Sequence, residues 1–491
     1  MGLTEVNSDY LMKGSHSIAK RNNLLLLIVV ALLTASLAST FSVLTLIFEH
    51  LFKFDRLESV GLFTVFAGLL YCASIVGGMI GARVISYVAS IRLGVGLSTF
   101  GLLGLYLNTF FASVTLVEIA IFLSFVLVGY GLISPCVMAV FGEQVKKHVP
   151  TGGRSHARFI LNYMAMNIGG VVGIGFSGLW STPILSRYNL LISVFLLGLV
   201  AILFNQASKR MDFLGPDFLL GKLKAMTIGV TLLLTVFSVS MLMLWPVVAN
   251  AFLLILVVFT VGYLLSCAKK VGQSDFHRML IFIGLTAIAI FFFILYSLEP
   301  DVLAIFIHDY VNRHWLGIEI PASTYFMLNP LFNLIFGGLF FVWLTRFKKS
   351  FSYSALICFS IFLIGFGFWV LWVSTLFFQS GGISTGWIVT VYALLGLAEM
   401  LLAPVAYEIV FIYGFRGLYG MMMGLSQLAI GIGAMLAERI SKFIVPSGYS
   451  VTSEALYFFS QGFKHVGLIW MGIGLFLIVL KVVTVWVRKE K

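Results

Sequence analysis

Glu399 and Pro404 stand together in one uninterrupted apolar stretch, residues 387–413. A lone carboxylate at the centre of a lipid-length helix costs roughly 2.5–3.5 kcal/mol to insert, so such a group normally faces a polar cavity and acts there. The stretch reads Glu-Met-Leu-Leu-Ala-Pro from Glu399, and a related run, Leu-Ile-Ser-Pro-Cys-Val, occupies residues 132–137 in the first half of the chain. Proline-interrupted spans in corresponding halves point to the central binding site of a secondary transporter.

The elements that must position these groups lie in lipid. Of the 491 residues 60% are hydrophobic and 10% are charged, against about 25% charged in a soluble domain. Fourteen apolar stretches, from 23–49 to 466–487, are each about long enough to cross a ~30 Å hydrocarbon core. The net charge of +12 is concentrated in alternate connections. Lys13, Lys20 and Arg21 precede the first stretch; Arg83 and Arg92 follow the second; Lys146, Lys147, Arg154 and Arg158 follow the fourth. The pattern continues through Lys209, Arg210, Lys222 and Lys224, then Lys269, Lys270 and Arg278, then Arg346, Lys348 and Lys349, then Arg416, and ends at Arg488, Lys489 and Lys491. By the positive-inside rule both termini are cytoplasmic. The first apolar run, about 28 residues, is too long for a signal-peptide core and reads as an uncleaved span.

The seventh and eighth stretches form a hairpin turning at Trp245-Pro246 and are poor in glycine and polar residues. That composition suits an accessory pair facing lipid and leaves twelve stretches for two six-helix bundles. The reading is an all-α integral membrane protein with fourteen spans arranged 6+2+6: residues 1–210, an accessory hairpin at 211–272, and residues 273–491. The longest connections, around 301–321 and 443–464, fall outside the membrane. Cys72, Cys136, Cys267 and Cys358 all lie in apolar stretches without paired spacing and suggest neither disulfides nor a metal site.

Four blocks carry a family resemblance. Residues 158–170 read Arg-Phe-Ile-Leu-Asn-Tyr-Met-Ala-Met-Asn-Ile-Gly-Gly, and 292–303 read Phe-Phe-Ile-Leu-Tyr-Ser-Leu-Glu-Pro-Asp-Val-Leu. Ile320-Pro321-Ala322 and Leu328-Asn329-Pro330-Leu331-Phe332 follow, then Glu399 to Pro404. In this order and spacing they resemble the proton-dependent oligopeptide transporters, a branch of the major facilitator superfamily. The resemblance implies a major facilitator fold in which two bundles rock about a central site. It also implies that Glu399 receives a peptide's amino terminus and that Asn167, Asn329, Tyr163 and Tyr296 contact substrate.

The departures bear on mechanism. The family's first helix carries a Glu-x-x-Glu-Arg cluster linked to proton coupling, whereas here no charge lies between Arg21 and Glu49. Ser134 takes the position of the fourth-helix lysine, so the candidate substrate contact there cannot pair with a peptide carboxylate as an ammonium would. Gly77 to Arg83 keeps the arginine of a Gly-Gly-x-x-Ala-Asp-Arg motif and lacks its aspartate, and the acidic residue and glutamine of the seventh core helix become Ser297 and Leu298.

Each candidate has a plainer reading. Glu399 would serve equally as a structural carboxylate bonded to a neighbouring helix, and Asn167 and Asn329 as interhelical hydrogen-bonding amides worth about 0.6–2 kcal/mol each. Tyr163 and Asn167, four apart, share one helical face; Asn162 is one residue off it. Glu408, nine residues beyond Glu399, falls about 180° around an ideal helix and reads as an interfacial, snorkelling side chain. Glu299 and Asp301 flank Pro300 and read as a solvated helix end. Glu49 and Glu118 read as headgroup-level residues, and all eight histidines, His156 among them, fall in connections or at ends, which argues against a histidine relay. Glycine clusters such as Gly77-Gly78 and Gly169-Gly170 would let helices approach closely.

The leading functional reading is alternating-access import of di- and tripeptides or peptide-like molecules, with Glu399 as the proton-coupling candidate. The competing one is a major facilitator transporter of another cargo, a siderophore, amino acid or drug, with altered or no proton coupling. A membrane enzyme is disfavoured by short loops and by the lack of any phosphate-cradling or Ser/His/Asp-like constellation. The partners foreseen are the substrate, protons and the bilayer of a bacterial inner membrane, with no cofactor, no nucleic acid and a monomeric state.

Overall fold

The computed structural model describes residues 2–489 except 112, 150–152, 180–182, 210–221, 316–317, 348–351, 379–380, 416 and 446–452. The expected boundary at 210/211 and the basic residues Arg210, Lys348, Lys349, Arg416 and Lys491 lie outside the described residues, as do the side chains of Lys13, Lys20, Arg21, Lys222, Lys224, Asp301, Arg488 and Lys489.

With no water in the bilayer core, every backbone N–H and C=O must be satisfied within its own segment, and helices do this. The helices are α1 (Gly2–His50), α2 (Arg56–Arg83), α3 (Tyr87–Asn108), α4 (Leu116–His148), α5 (Gly153–Leu179), α6 (Pro183–Ser208), α7 (Lys222–Leu244) and α8 (Pro246–Val271). There follow α9 (Gln273–Tyr296), α10 (Ala304–Tyr310), α11 (Leu328–Phe347), α12 (Tyr353–Thr375), α13 (Thr385–Tyr413), α14 (Tyr419–Ile444) and α15 (Ser453–Lys489). Two-residue strands occur only in connections: β1 (Val311–Asn312) pairs in parallel with β4 (Ile383–Ser384), and β2 (His314–Trp315) pairs antiparallel with β3 (Ile318–Glu319).

Among the described residues thirteen helices are long and apolar enough to cross a membrane, and α7 adds a shorter apolar segment, Ile228–Leu244. Large apolar side chains such as Leu233, Leu234, Ile255 and Val258 are left exposed, as suits contact with acyl chains. The chain is a multi-pass integral membrane protein.

Two expected connections are shorter than the sequence suggested. Beyond α9 the chain continues through a π-helical turn, Glu299–Leu303, straight into α10, and residues 453–464 belong to α15. Glu118 proves to be a capping residue at the start of α4: Thr115 N donates to its carboxylate at 2.8 Å, and Glu118 N donates back to Thr115 Oγ1 at 3.3 Å.

The chain divides into two compact units. The first comprises Met1–Pro150, Ala165–Leu264 and Phe415–Leu425, and the second Thr151–Met164, Leu265–Gly414 and Ser426–Lys491. Helices α5, α8 and α14 are therefore each shared between units. In the first, α1 packs on α6, α4 on α2 and α3, and α7 on α4 and α2. Ser36 ties three of these helices, with its hydroxyl 2.7 Å from Tyr130 Oη and donating to Ser193 O at 2.9 Å. In the second unit α12 packs on α15, α13 and α9, while α11 lies along α13. Pro135 and Pro404 both sit inside long helices, α4 and α13.

Candidate functional site

The start of α13 is fixed by Ser384, whose hydroxyl accepts from Gly386 N at 3.3 Å. From Leu395 to Phe411 nearly every side chain of α13 is buried, Glu399 included at 5% exposure. Small residues bring α11 up against it. A Cβ on Gly396 would stand 2.8 Å from Phe332 Cβ, and one on Gly337 would stand 2.7 Å from Met164 Cγ and 3.0 Å from Met400 Cε. This close approach carries the polar face of α11 to the carboxylate.

Both oxygens of Glu399 are occupied. The Tyr163 hydroxyl donates to Oε1, and Asn333 Nδ2 donates to Oε2 at 3.0 Å. Asn333 also reaches Asn329 Oδ1 at 3.3 Å, one turn back on α11, and Asn329 Nδ2 donates to Glu299 Oε2 at 3.1 Å. Tyr296 and Asn329 lie within interaction range of the Glu399 carboxylate as well. The result is a chain of side-chain hydrogen bonds, Tyr163–Glu399–Asn333–Asn329–Glu299, lying entirely in the second unit. Among the described residues neither carboxylate has a lysine, arginine or histidine at ion-pair distance.

Of the residues singled out from the sequence, Glu399, Tyr163, Asn329 and Tyr296 come together here. Asn167 and Ser134 are half-buried and belong to the first unit, outside this cluster. Tyr163 and Asn167 share a helical face, yet α5 passes from one unit to the other between them. Asn162, placed off the face, is fully buried.

Two readings are corrected. Glu299 is no solvated helix end: it is 8% exposed and bonded to Asn329, because the helix runs on past Pro300 and keeps the side chain inside. Glu408 does not snorkel; it is 1% exposed, with Oε2 lying 2.6 Å from His156 Nδ1. His156 in turn sits in the first turns of α5 and is buried, beside the ring of Tyr353. Asn333 went unnoticed, although its i+4 spacing from Asn329 puts the two amides on one face and was the available signal.

An isolated buried carboxylate is costly, and neutral donors only partly offset its charge. What this geometry offers is a pre-oriented carboxyl group with four hydroxyl or amide groups around it and, among the described residues, no lysine, arginine or histidine at ion-pair distance.

The comparisons agree with the architecture. A structure reported under structural insights into substrate recognition in proton dependent oligopeptide transporters superposes with a TM-score of 0.70 at 17% identity, covering 94% of this chain and 98% of that one. A POT family transporter in complex with a thioalcohol conjugated peptide gives 0.71 at 18% identity over 94% and 96%. These likenesses establish the major facilitator fold. Dipeptide and tripeptide permease B of Aliivibrio fischeri (strain MJ11) is 26% identical over 88% of each chain. The peptide transporter YePEPT of Yersinia enterocolitica is 25% identical over 80% of this chain and 81% of its own. The family model described as PTR2, POT family, matches residues 82–454, well over half of the sequence, and the chain belongs to the POT family.

Proposed function

We propose that the protein imports short peptides by alternating access, with Glu399 receiving the substrate's amino terminus and serving as the group that couples transport to protons. The observation that carries this is the buried Glu399 carboxylate, aimed by Tyr163 and Asn333 and lacking a cation of its own among the described residues. An ammonium entering there would replace lost hydration by a charge-assisted hydrogen bond, worth about 1.5–3 kcal/mol. Relatives named as dipeptide and tripeptide permeases support the cargo class. The cytoplasmic location of both termini, the 6+2+6 division at 1–210, 211–272 and 273–491, the monomeric state and a bacterial inner membrane belong to the same reading.

A second reading, a non-peptide cargo, is favoured by Ser134, which offers no positive charge to a peptide carboxylate. Uptake of labelled dialanine into proteoliposomes, with competition by dipeptides, tripeptides, amino acids and siderophores, separates the two. Under the leading reading di- and tripeptides compete, substrate drives acidification of the lumen, and Glu399→Gln suppresses both. Undiminished proton flux in that variant would rule out coupling through Glu399.

A further inference from the structure

The second carboxylate of the site has no assigned task. Glu299 opens the π-helical turn that joins α9 to α10, a departure from regular helix of the kind found mostly at functional positions. It is 8% exposed, and Asn329 Nδ2 is its one hydrogen-bond donor of ordinary geometry. Tyr392, on α13 and fully buried, holds its hydroxyl close enough to interact with Glu299. Among the described residues that hydroxyl closes no hydrogen bond of ordinary geometry, and it lies close enough to Glu299 to donate to it. The donors beside Glu299, this phenol and the Asn329 amide, are both neutral.

The wiring to Glu399 also matters. Two neutral amides in series, Asn329 and Asn333, separate the carboxylates and hold them apart at a fixed spacing. No lysine, arginine or histidine reaches ion-pair distance of either acid among the described residues. Each Asn amide already spends donors on its neighbours, so the two carboxyl groups have only neutral donors beside them among the described residues. A zwitterionic dipeptide brings one ammonium, and its carboxylate adds to the negative charge. A substrate with two cationic groups meets both acids.

We propose that Glu299 is a second cation receptor in this site, and that the preferred substrates carry two positive charges: an amino terminus at Glu399 and a lysine- or arginine-type side chain at Glu299. The inference rests on the peptide reading above and gives it a substrate class.

The test measures binding to the purified full-length protein by thermal shift and by competition for uptake. The ligands are Lys-Ala, Ala-Ala, the same lysyl dipeptide with its side-chain amine acetylated, and a simple diamine. Lys-Ala is expected to bind about 10–100-fold more tightly than its acetylated form, the worth of one charge-assisted hydrogen bond. In Glu299→Gln the ratio of the two affinities is expected to fall towards one. Equal affinities in the unaltered protein, or a ratio unmoved by Glu299→Gln, overturns the proposal. The acetylation arm alters only the ligand, so it decides even if the variant does not fold. Binding of Ala-Ala with no preference for Lys-Ala leaves peptide transport standing and removes this inference. Binding of the diamine with no peptide bound keeps Glu299 as a cation receptor and removes the peptide reading.

Discussion

His156 Nδ1 lies 2.6 Å from Glu408 Oε2, and both side chains are buried. Two turns further along α5, Tyr163 donates to Glu399, so one face of α5 meets both acids of α13. On an ideal helix residues nine apart project about 180° from each other. Pro404 lies between the two acids; it cannot donate to the carbonyl one turn back, which frees the helix to depart from regular geometry there. The reach of two glutamate side chains does the rest. Phe159 stacked on Phe411 and the ring of Tyr163 near Tyr407 continue the same seam.

The seam makes a stability prediction. Leaving a buried hydrogen-bonding group short of a partner costs about 1–3 kcal/mol. His156→Ala, which removes the Nδ1 contact of Glu408 and leaves it the Tyr353 hydroxyl, is expected to destabilise the protein by about that much in chemical denaturation. The paired change His156→Leu with Glu408→Leu is expected to recover most of it. A double-mutant cycle gives the coupling directly, and a coupling near zero would mean the contact is incidental.

Helix contact by glycine gives a second. A Cβ on Gly78 would stand 2.1 Å from the carbonyl oxygen of Gly420, and one on Gly77 would stand 2.1 Å from that of Gly131. Backbone cannot yield as a side-chain tip can, so the helices would have to separate. Gly170 and Gly175 have nothing within 4 Å. Gly78→Ala is expected to cost several kcal/mol of stability or to abolish uptake, whereas Gly170→Ala stays within about ±0.5 kcal/mol, as surface substitutions do. Thermal unfolding of the two purified variants side by side checks this, and equal behaviour would contradict the packing.

How far the sequence revealed this site follows from what periodicity measures. A carboxylate inside an apolar run and a proline five residues on are properties of a single segment, and Glu399 was legible for that reason; Asn329 and Tyr163 were reached through the family resemblance. Glu299-Pro300-Asp301 carries the chemistry of a helix end, and proline beside two acids normally marks one. Here the chain makes a π-helical turn and continues, so the signal pointed the wrong way. His156 and Glu408 were missed for a related reason. Each looked terminal on its own helix, and their burial depends on a second helix that no single segment's pattern can name.

Asn333 and Asn329 together link Glu399 to Glu299, so a substitution at Asn333 tests the site without removing a carboxylate. Asn333→Ala removes its donation to Glu399 and to Asn329 together. A hydrogen bond to a charged group contributes about 1.5–3 kcal/mol, which corresponds to roughly a 10–100-fold loss of substrate affinity. Asn333→Asp keeps the shape and adds a third acid. It is expected to weaken dialanine uptake at least as strongly, through repulsion with Glu399. Initial uptake rates across a substrate series separate a change in apparent affinity from a change in maximal rate. A pure fall in maximal rate for Asn333→Ala would place the amide in the transport cycle and out of binding.

Tyr163→Phe isolates the hydroxyl from the ring. The ring packs near Tyr407, and phenylalanine preserves that contact, so folding is expected to change by no more than about 1–3 kcal/mol, the cost of leaving a buried acceptor short of one donor. The Glu399 carboxylate, however, then loses its Oε1 donor and is freer to turn away from its fixed orientation. If Tyr163 positions the acid for substrate, uptake falls about 10-fold or more while thermal stability barely moves, and the preference for an ammonium over its acetylated form narrows. If it only ties α5 to α13, stability falls and the preference stays. Measuring both on one preparation distinguishes a positioning hydroxyl from a structural one.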